Sequence, residues 1–344
     1  MHEALLYDRL PDSRVRCHTC QWRCRIGPGK FGVCGMYQNQ DGALFNLNYA
    51  KVSSLAADPI EKKPLFHFFP GTLALSLGTL GCNFHCKHCQ NWEISMADGH
   101  AIEHSCREIQ PQEEIALAQS YNCQGIAWTY NEPVIWLEYT LDSARLAKEN
   151  HLYTVYVTNG YATPEALDTI GPYLDAWRVD IKGFSDEFYR SLAKIPHWRE
   201  ILEVTKRAKN KWQMHVEVVT NIIPTMNDDD QQLEGIAHWI RDELGELTPW
   251  HVTRFHPHHQ LKNLPPTPLT TIEHAYEIGR KAGLKFVYAG NVPGHESEST
   301  RCYACGKLNV QRFGYQTTVT GLEGSRCRYC GAELNFRVPG SKEG

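Results

Sequence analysis

Gly81-Cys82-Asn83-Phe84-His85-Cys86-Lys87-His88-Cys89-Gln90-Asn91 is the stretch on which the reading of this chain turns. Its cysteines follow a C-x3-C-x2-C spacing. Three thiolates so placed can hold three irons of a 4Fe–4S cube and leave the fourth iron without a protein ligand. A structural zinc site closes with a fourth ligand instead. An open metal position points to chemistry rather than to scaffolding.

Just before the loop stands Leu73-Ala74-Leu75-Ser76-Leu77, an apolar run that reads as a strand. Further runs of the same kind are Gly125–Tyr130, His151–Val157 with its stop at Asn159-Gly160, Trp177–Ile181, His215–Val219, His251–Phe255 and Lys285–Ala289. Helical patterns lie between them. Gln112–Gln119 follows Pro111, and Pro133–Glu149 carries apolar residues at helical spacing. Pro164 opens another helix with Thr163 as its cap, and Asp228–Leu244 starts on acidic residues that the helix dipole favours. Strand and helix in alternation make an α/β protein with a parallel sheet and right-handed crossovers, and the sheet can close fully, close partly or stay open. In every case the loops at the C-terminal ends of the strands carry the site. The cysteine loop, Tyr130-Asn131-Glu132-Pro133, Thr158-Asn159-Gly160 and Asp180-Ile181-Lys182 all fall there.

With 344 residues the chain has room for one large domain and small appendages. We divide it into a Cys-rich extension over 1–50, the β/α region over 51–295 and a Cys-rich module over 296–344. A net charge of −4 gives no field that would draw nucleic acid or a membrane by itself, although local basic patches leave nucleic acid open. The start, Met1 to Arg9, lacks the basic end and apolar run of a signal peptide, and no apolar stretch is long enough to span a bilayer. The expectation is a cytoplasmic protein. Thirteen cysteines in such a chain argue for metal rather than for disulfides.

Cys302, Cys305, Cys327 and Cys330 form two C-x2-C knuckles, each followed by glycine, as in a zinc ribbon. Cys17, Cys20, Cys24 and Cys34 suit zinc or a second iron–sulfur cluster, with a structural metal slightly ahead. Cys106 and Cys123 read as small buried thiols. Trp92, Trp128, Tyr130 and Trp136 read as core or lid packing. His251, His256, His258 and His259 read as partly exposed loop histidines. Glu132 before Pro133 can also serve only as a helix-start carboxylate, and Asp180 with Lys182, two apart on a strand, as a plain ion pair.

The C-x3-C-x2-C loop after a first strand resembles the radical S-adenosylmethionine (radical SAM) enzymes, and within them the pyruvate formate-lyase activating enzymes. Val15–Cys20, the Cys89-Gln90-Asn91-Trp92 step, Thr129–Pro133 and Val287–Gly294 look most like the radical SAM member of the AmmeMemoRadiSam system. The resemblance implies a partial (β/α)6-type parallel barrel. It implies that Cys82, Cys86 and Cys89 ligate a 4Fe–4S cluster whose open iron is chelated by SAM. It further implies SAM contacts from Asn131 and Glu132, which stand where the family often has Gly-Gly-Glu, and from Asn159, Asp180, Lys182 and His256. His88 takes the place of the aromatic residue common before the third cysteine, near adenine. Reductive cleavage of SAM to a 5′-deoxyadenosyl radical that abstracts hydrogen is the implied reaction. The substrate class stays open between a protein, a peptide, a nucleic acid and a metabolite. Implied partners are a protein substrate, Memo- and AMMECR-type companions, and an electron donor such as flavodoxin or ferredoxin. The competing reading from the terminal cysteines alone is a non-enzymatic zinc-binding adaptor or nucleic-acid reader. Exposed cluster ligands imply oxygen sensitivity.

Overall fold

The computed structural model describes residues 1–339; the last five residues of the 296–344 module lie outside them. One eight-stranded sheet organises the chain. Its strands are β1 (Ser54–Pro59), β2 (Leu73–Gly78), β3 (Gly125–Trp128), β4 (Tyr153–Thr158), β5 (Ala176–Asp180), β6 (His215–Ile222), β7 (Trp250–Arg254) and β8 (Val287–Gly290). They lie side by side in chain order. β2 to β8 are parallel, and β1 pairs antiparallel on the outer edge of β2. The parallel strands number seven, one more than a six-fold repeat, and the edges β1 and β8 do not pair with each other.

The parallel strands read as near-continuous apolar runs because both of their faces are covered, with buried polar exceptions such as Arg178 and Glu217. Six helices pack on one face: α1 (Pro111–Ser120), α2 (Leu137–Glu149), α3 (Pro164–Ile170), α4 (Arg199–Asn210), α5 (Asp230–Trp239) and α6 (Leu269–Lys281). Trp128, Tyr156, Trp177 and Val179 of the sheet meet Leu137, Ile170, Ile201 and Ile236 of the helices in one core. The helix starts follow local rules. Pro111 opens α1, Thr163 Oγ1 accepts from the Ala166 amide at 3.1 Å, and Asp229 accepts from the Gln232 amide at 3.1 Å. The 133–149 stretch begins as a 3-10 turn over Pro133–Trp136, and α5 ends in a π turn over Ile240–Leu244.

The other face is filled by the segment after β1. Ile60, Leu65 and Phe68 pack on Ala74, Ala127, Val155 and Ala176. Burial of a side chain like Phe68 is worth about 2–3 kcal/mol. Glu217 of β6 seats this segment: its carboxylate accepts the amides of Phe66 and His67 at 3.0 and 2.7 Å. His215 and His251 lie 3.0 and 2.7 Å from the same carboxylate. Burial opposes the charge on Glu217, but the two histidines outweigh it and hold the carboxyl well below its usual range. His251 is therefore an interior residue and not a loop histidine.

Residues 1–50 are not featureless. Short strands pair into two small sheets, one of them Val15–Cys17 between Tyr7–Arg9 and Arg25–Ile26. At the other end a hairpin of Leu308–Phe313 and Gln316–Val319 places Val310 in an apolar cluster with Phe286, Tyr288, Leu334 and Phe336. That cluster reaches the main domain, where Phe336 stacks on His67 at 4.0 Å. Among the described residues no helix is long and apolar enough to cross a membrane.

Candidate active site

The strand ends converge on a cavity of about 560 Å3. β2 ends at Gly78, and the chain turns through Gly81 into the cysteine loop. Gly81 has φ +81°, and a Cβ there would lie 2.5 Å from the Cys34 carbonyl oxygen, so only glycine fits. Cys82, Cys86 and Cys89 all line the cavity, the first two buried and the third partly exposed. The Phe84 amide donates to Cys82 Sγ at 3.4 Å, and Asn159 Nδ2 lies 3.9 Å from the same sulfur. Burial pushes the Cys86 thiol up to about 12 against the pull of the Lys182 charge, so this thiol becomes a thiolate only beside a metal cation.

Residues far apart in sequence brace the loop. Asn131 Nδ2 donates to the Gly81 carbonyl at 2.7 Å, and its Oδ1 accepts from the Thr79 amide at 3.2 Å. Asn159 Nδ2 donates to Asn83 Oδ1 at 2.8 Å. Asp180 and Lys182 line the cavity as an ion pair of 3.0 Å, and Arg178 binds the other oxygen of Asp180. Burial works against the charge on Asp180, yet the Arg178 and Lys182 cations prevail and hold its carboxyl below the ordinary value. His88 is buried in the cavity wall, and its Nδ1 has no hydrogen-bond partner among the described residues.

Two residues stand elsewhere than the resemblance implies. Glu132 does not line the cavity. Its carboxylate accepts from the Val134 amide at 3.1 Å, the Thr158 hydroxyl at 2.7 Å and the Asn159 amide at 2.7 Å. Both oxygens are thereby used in starting the helix and fixing the end of β4. Burial still pushes the carboxyl up to about 7 against these three donors. His256 is exposed and outside the lining. The chain leaves the sheet after Arg254, buries Phe255 and turns the next side chain outward.

The cavity also gathers residues that strand-end reasoning missed. Lys63 lines it, paired with buried Asp58 at 2.7 Å, and sits 5.3 Å from the Tyr130 ring. Burial lowers Lys63 to about 8 although Asp58 opposes the shift. The signal available was the charge run Glu61-Lys62-Lys63 between Pro59 and Pro64, just after Asp58. Asn221 and Thr253 extend the polar rim, and Asn221 Oδ1 also lacks a partner among the described residues. Gly314 and Tyr315, at the tip of the C-terminal hairpin, reach its mouth. Of the four aromatics, Trp128 and Trp136 are core, Trp92 stacks on His259 at 5.1 Å, and Tyr130 lines the cavity.

The two flanking cysteine sets differ. The donor atoms of Cys302, Cys305, Cys327 and Cys330 all lie within 4.8 Å of one another, so this group can hold a metal ion. Among the described residues no other group of three or more His, Cys, Asp or Glu meets that spacing. All thirteen cysteines are free thiols; Cys123 is buried and Cys106 partly so.

The chain has relatives among known proteins. The sequence profile of the Radical SAM superfamily matches residues 77–240. An uncharacterised protein of Methanocaldococcus jannaschii is 44% identical over 338 residues, which is 98% of this chain and 99% of that one. The pyruvate formate-lyase 1-activating enzyme of Escherichia coli K12 is 23% identical over 223 residues, 60% of this chain and 89% of that one. A radical SAM methyltransferase structure from Sphaerobacter thermophilus aligns with a TM-score of 0.49 at 17% identity, covering 70% of this chain and 71% of that one. The chain belongs to the radical SAM superfamily. Membership implies SAM and an iron–sulfur cluster, and the activating-enzyme relatives support an enzyme.

Proposed function

We propose that the chain cleaves SAM reductively at a 4Fe–4S cluster held by Cys82, Cys86 and Cys89, and that hydrogen abstraction from a substrate follows. When bound together, cluster and SAM supply a 5′-deoxyadenosyl radical as the abstracting species. One observation carries the reading: a three-thiol loop opens into a cavity whose wall still holds buried polar atoms without partners among the described residues, His88 Nδ1 and Asn221 Oδ1. Such atoms fit a bound molecule rich in amino, carboxylate and heterocyclic groups. The sheet, with its site at the strand ends, supports the partial-barrel reading of the fold.

The residues of the chain have distinct tasks in this proposal. Asn131 and Asn159 fix the loop that presents the thiols. Asp180, oriented by Arg178 and Lys182, offers the cavity a permanent carboxylate. Glu132 is a positioning residue: it acts through the Asn159 backbone rather than on SAM. Tyr315 and Gly314 help to keep water from the cavity, which a radical reaction requires. We assign zinc to the C-terminal four cysteines, a closed thiolate set of the structural kind. Kinship with the AmmeMemoRadiSam proteins, a protein substrate, Memo- and AMMECR-type companions and a flavodoxin or ferredoxin donor belong to the same proposal; the activating-enzyme relatives bear only on the class of reaction.

Anaerobic reconstitution followed by reduction in the presence of SAM tests the reading. The expected result is brown protein that forms methionine and 5′-deoxyadenosine. With candidate partners present, deuterium transfer into 5′-deoxyadenosine identifies the substrate. Colourless protein that carries zinc alone and leaves SAM intact would overturn the reading in favour of an adaptor.

A further inference from the structure

We propose that Cys17, Cys20, Cys24 and Cys34 hold a second 4Fe–4S cluster, on the back of the Cys82 loop. Local structure gathers the four residues. The hairpin of Val15–Cys17 with Arg25–Ile26 sets Cys17 beside Cys24, and the Cys17 amide donates to the Cys24 carbonyl at 3.0 Å. Cys20 is tied down by a bridge to Ala162. A Cβ on Gly32 would lie 3.6 Å from Cys24 Sγ, so the turn carrying Cys34 rests on the same spot. The Arg23 amide donates to the Cys20 carbonyl at 3.0 Å and turns the chain back toward Cys24. Cys17, Cys20 and Cys34 are buried, Cys24 is partly exposed, and none of the four is oxidised.

One observation specifies the ligand. The spacing is wrong for one ion. Four thiolates around a single zinc, each at about 2.3 Å from it, must crowd together. The C-terminal set does so, with Cys302 and Cys330 sulfurs 3.6 Å apart and Cys305 and Cys327 3.8 Å apart. The N-terminal four do not reach that spacing, and neither do Cys82, Cys86 and Cys89. Thiolates at the corners of an iron cube stand farther apart than those around one ion.

The site is joined to the cysteine loop without opening on its cavity. Trp22 Nε1 donates to the Asn83 carbonyl at 2.7 Å, and the Cys34 carbonyl packs on Gly81. Tyr161 lies between, 6.4 Å from Trp22 and 5.4 Å from Phe84, ring to ring. None of the four cysteines lines the cavity. A cluster here has four protein ligands, so it can hold or pass an electron but has no corner for SAM.

Metal analysis of the anaerobically reconstituted full chain tests the assignment without reference to activity. Wild type is expected to carry about eight irons and one zinc. A Cys82→Ala/Cys86→Ala variant should keep about four irons and show a reduced 4Fe–4S electron paramagnetic resonance signal. A Cys20→Ser/Cys34→Ser variant should lose that signal and keep the other cluster. Wild type with about four irons and two zincs would overturn the proposal, as would an iron-free Cys82→Ala/Cys86→Ala variant. The wild-type count decides even if a variant fails to fold. It also separates this inference from the reading of the active site, because iron that survives loss of Cys82 and Cys86 belongs to the N-terminal set.

Discussion

The cysteine loop at the end of β2 and the knuckles near the end of the chain use the same side chain for opposite ends. The knuckles bring four sulfurs within 4.8 Å of one another in a small hairpin module, with Cys305 and Cys330 exposed. Nothing else needs to approach such a metal, so it can sit at the surface and serve folding alone. The loop supplies three sulfurs on the wall of a deep cavity, each facing space that the protein leaves free. Its positions depend on Asn131, Asn159 and Gly81, which belong to three separate segments. A closed site is specified by its own few residues; an open one is specified by the whole sheet.

The comparison breaks at once if the two sites respond alike to loss of a ligand. Replacing Cys86 by Ala should abolish SAM cleavage, by at least about 100-fold, since even outer partners of a metal ligand act on the 10–100-fold scale. Thermal stability and zinc content should stay at the wild-type level. Cys327→Ser should do the reverse. Zinc is lost, the cluster of Phe286, Tyr288, Val310 and Phe336 loosens, and Tm falls by at least about 5 °C. Iron content should be retained. Calorimetry and metal analysis on the two variants read both outcomes, and a stable, zinc-free Cys327→Ser protein would remove the folding role assigned to the knuckles.

How much of this was legible follows from the same contrast. β2 to β8 are readable to within about three residues because strands buried on both faces read as near-continuous apolar runs. The edge strand β1 is not, since Ser54-Leu55-Ala56-Ala57-Asp58 is small and polar enough to pass for a loop. α4 carries its core face as Ile201, Val204 and Ala208 among charged residues, and neither α4 nor α6 is marked by a strong cap. At the site, Asn131, Asn159, Asp180 and Lys182 reach the cavity because their strands end there. Glu132 cannot be oriented from sequence, because its direction is decided by amides of Val134 and Asn159 on two different segments. Lys63 and Arg178 enter from the filled face of the sheet, a relation that only packing creates.

A milder change sharpens the contrast within the loop itself. Asn131→Ala leaves all three thiols in place but removes the two hydrogen bonds to Gly81 and Thr79. SAM cleavage should fall by about 10–100-fold while the iron is still bound, the range expected of a residue that orients a ligand. An unchanged rate would mean that the loop holds its shape without help and that the open site is as self-contained as the closed one.

The smallest effect lies away from both metals, and its sign distinguishes it. Acid should weaken the knuckles, because thiolates must release metal to take up protons. Glu114, on α1 beneath Ser143 of α2, should act the other way. It is fully buried, and burial raises its carboxyl from 4.5 to about 7, partly offset by the Ser143 hydroxyl. Below pH 4.5 the folded and unfolded forms are both protonated at this group. As pH rises from there to about 7, the unfolded chain releases a proton that the folded chain keeps, so stability falls across that window. Glu114→Gln removes the slope and should raise stability at pH 8 by about 1–3 kcal/mol relative to wild type, with little change at pH 4. Chemical denaturation at the two pH values measures the difference. A variant less stable than wild type at pH 8 would show that the carboxylate is satisfied where it lies and that burial does not oppose its charge.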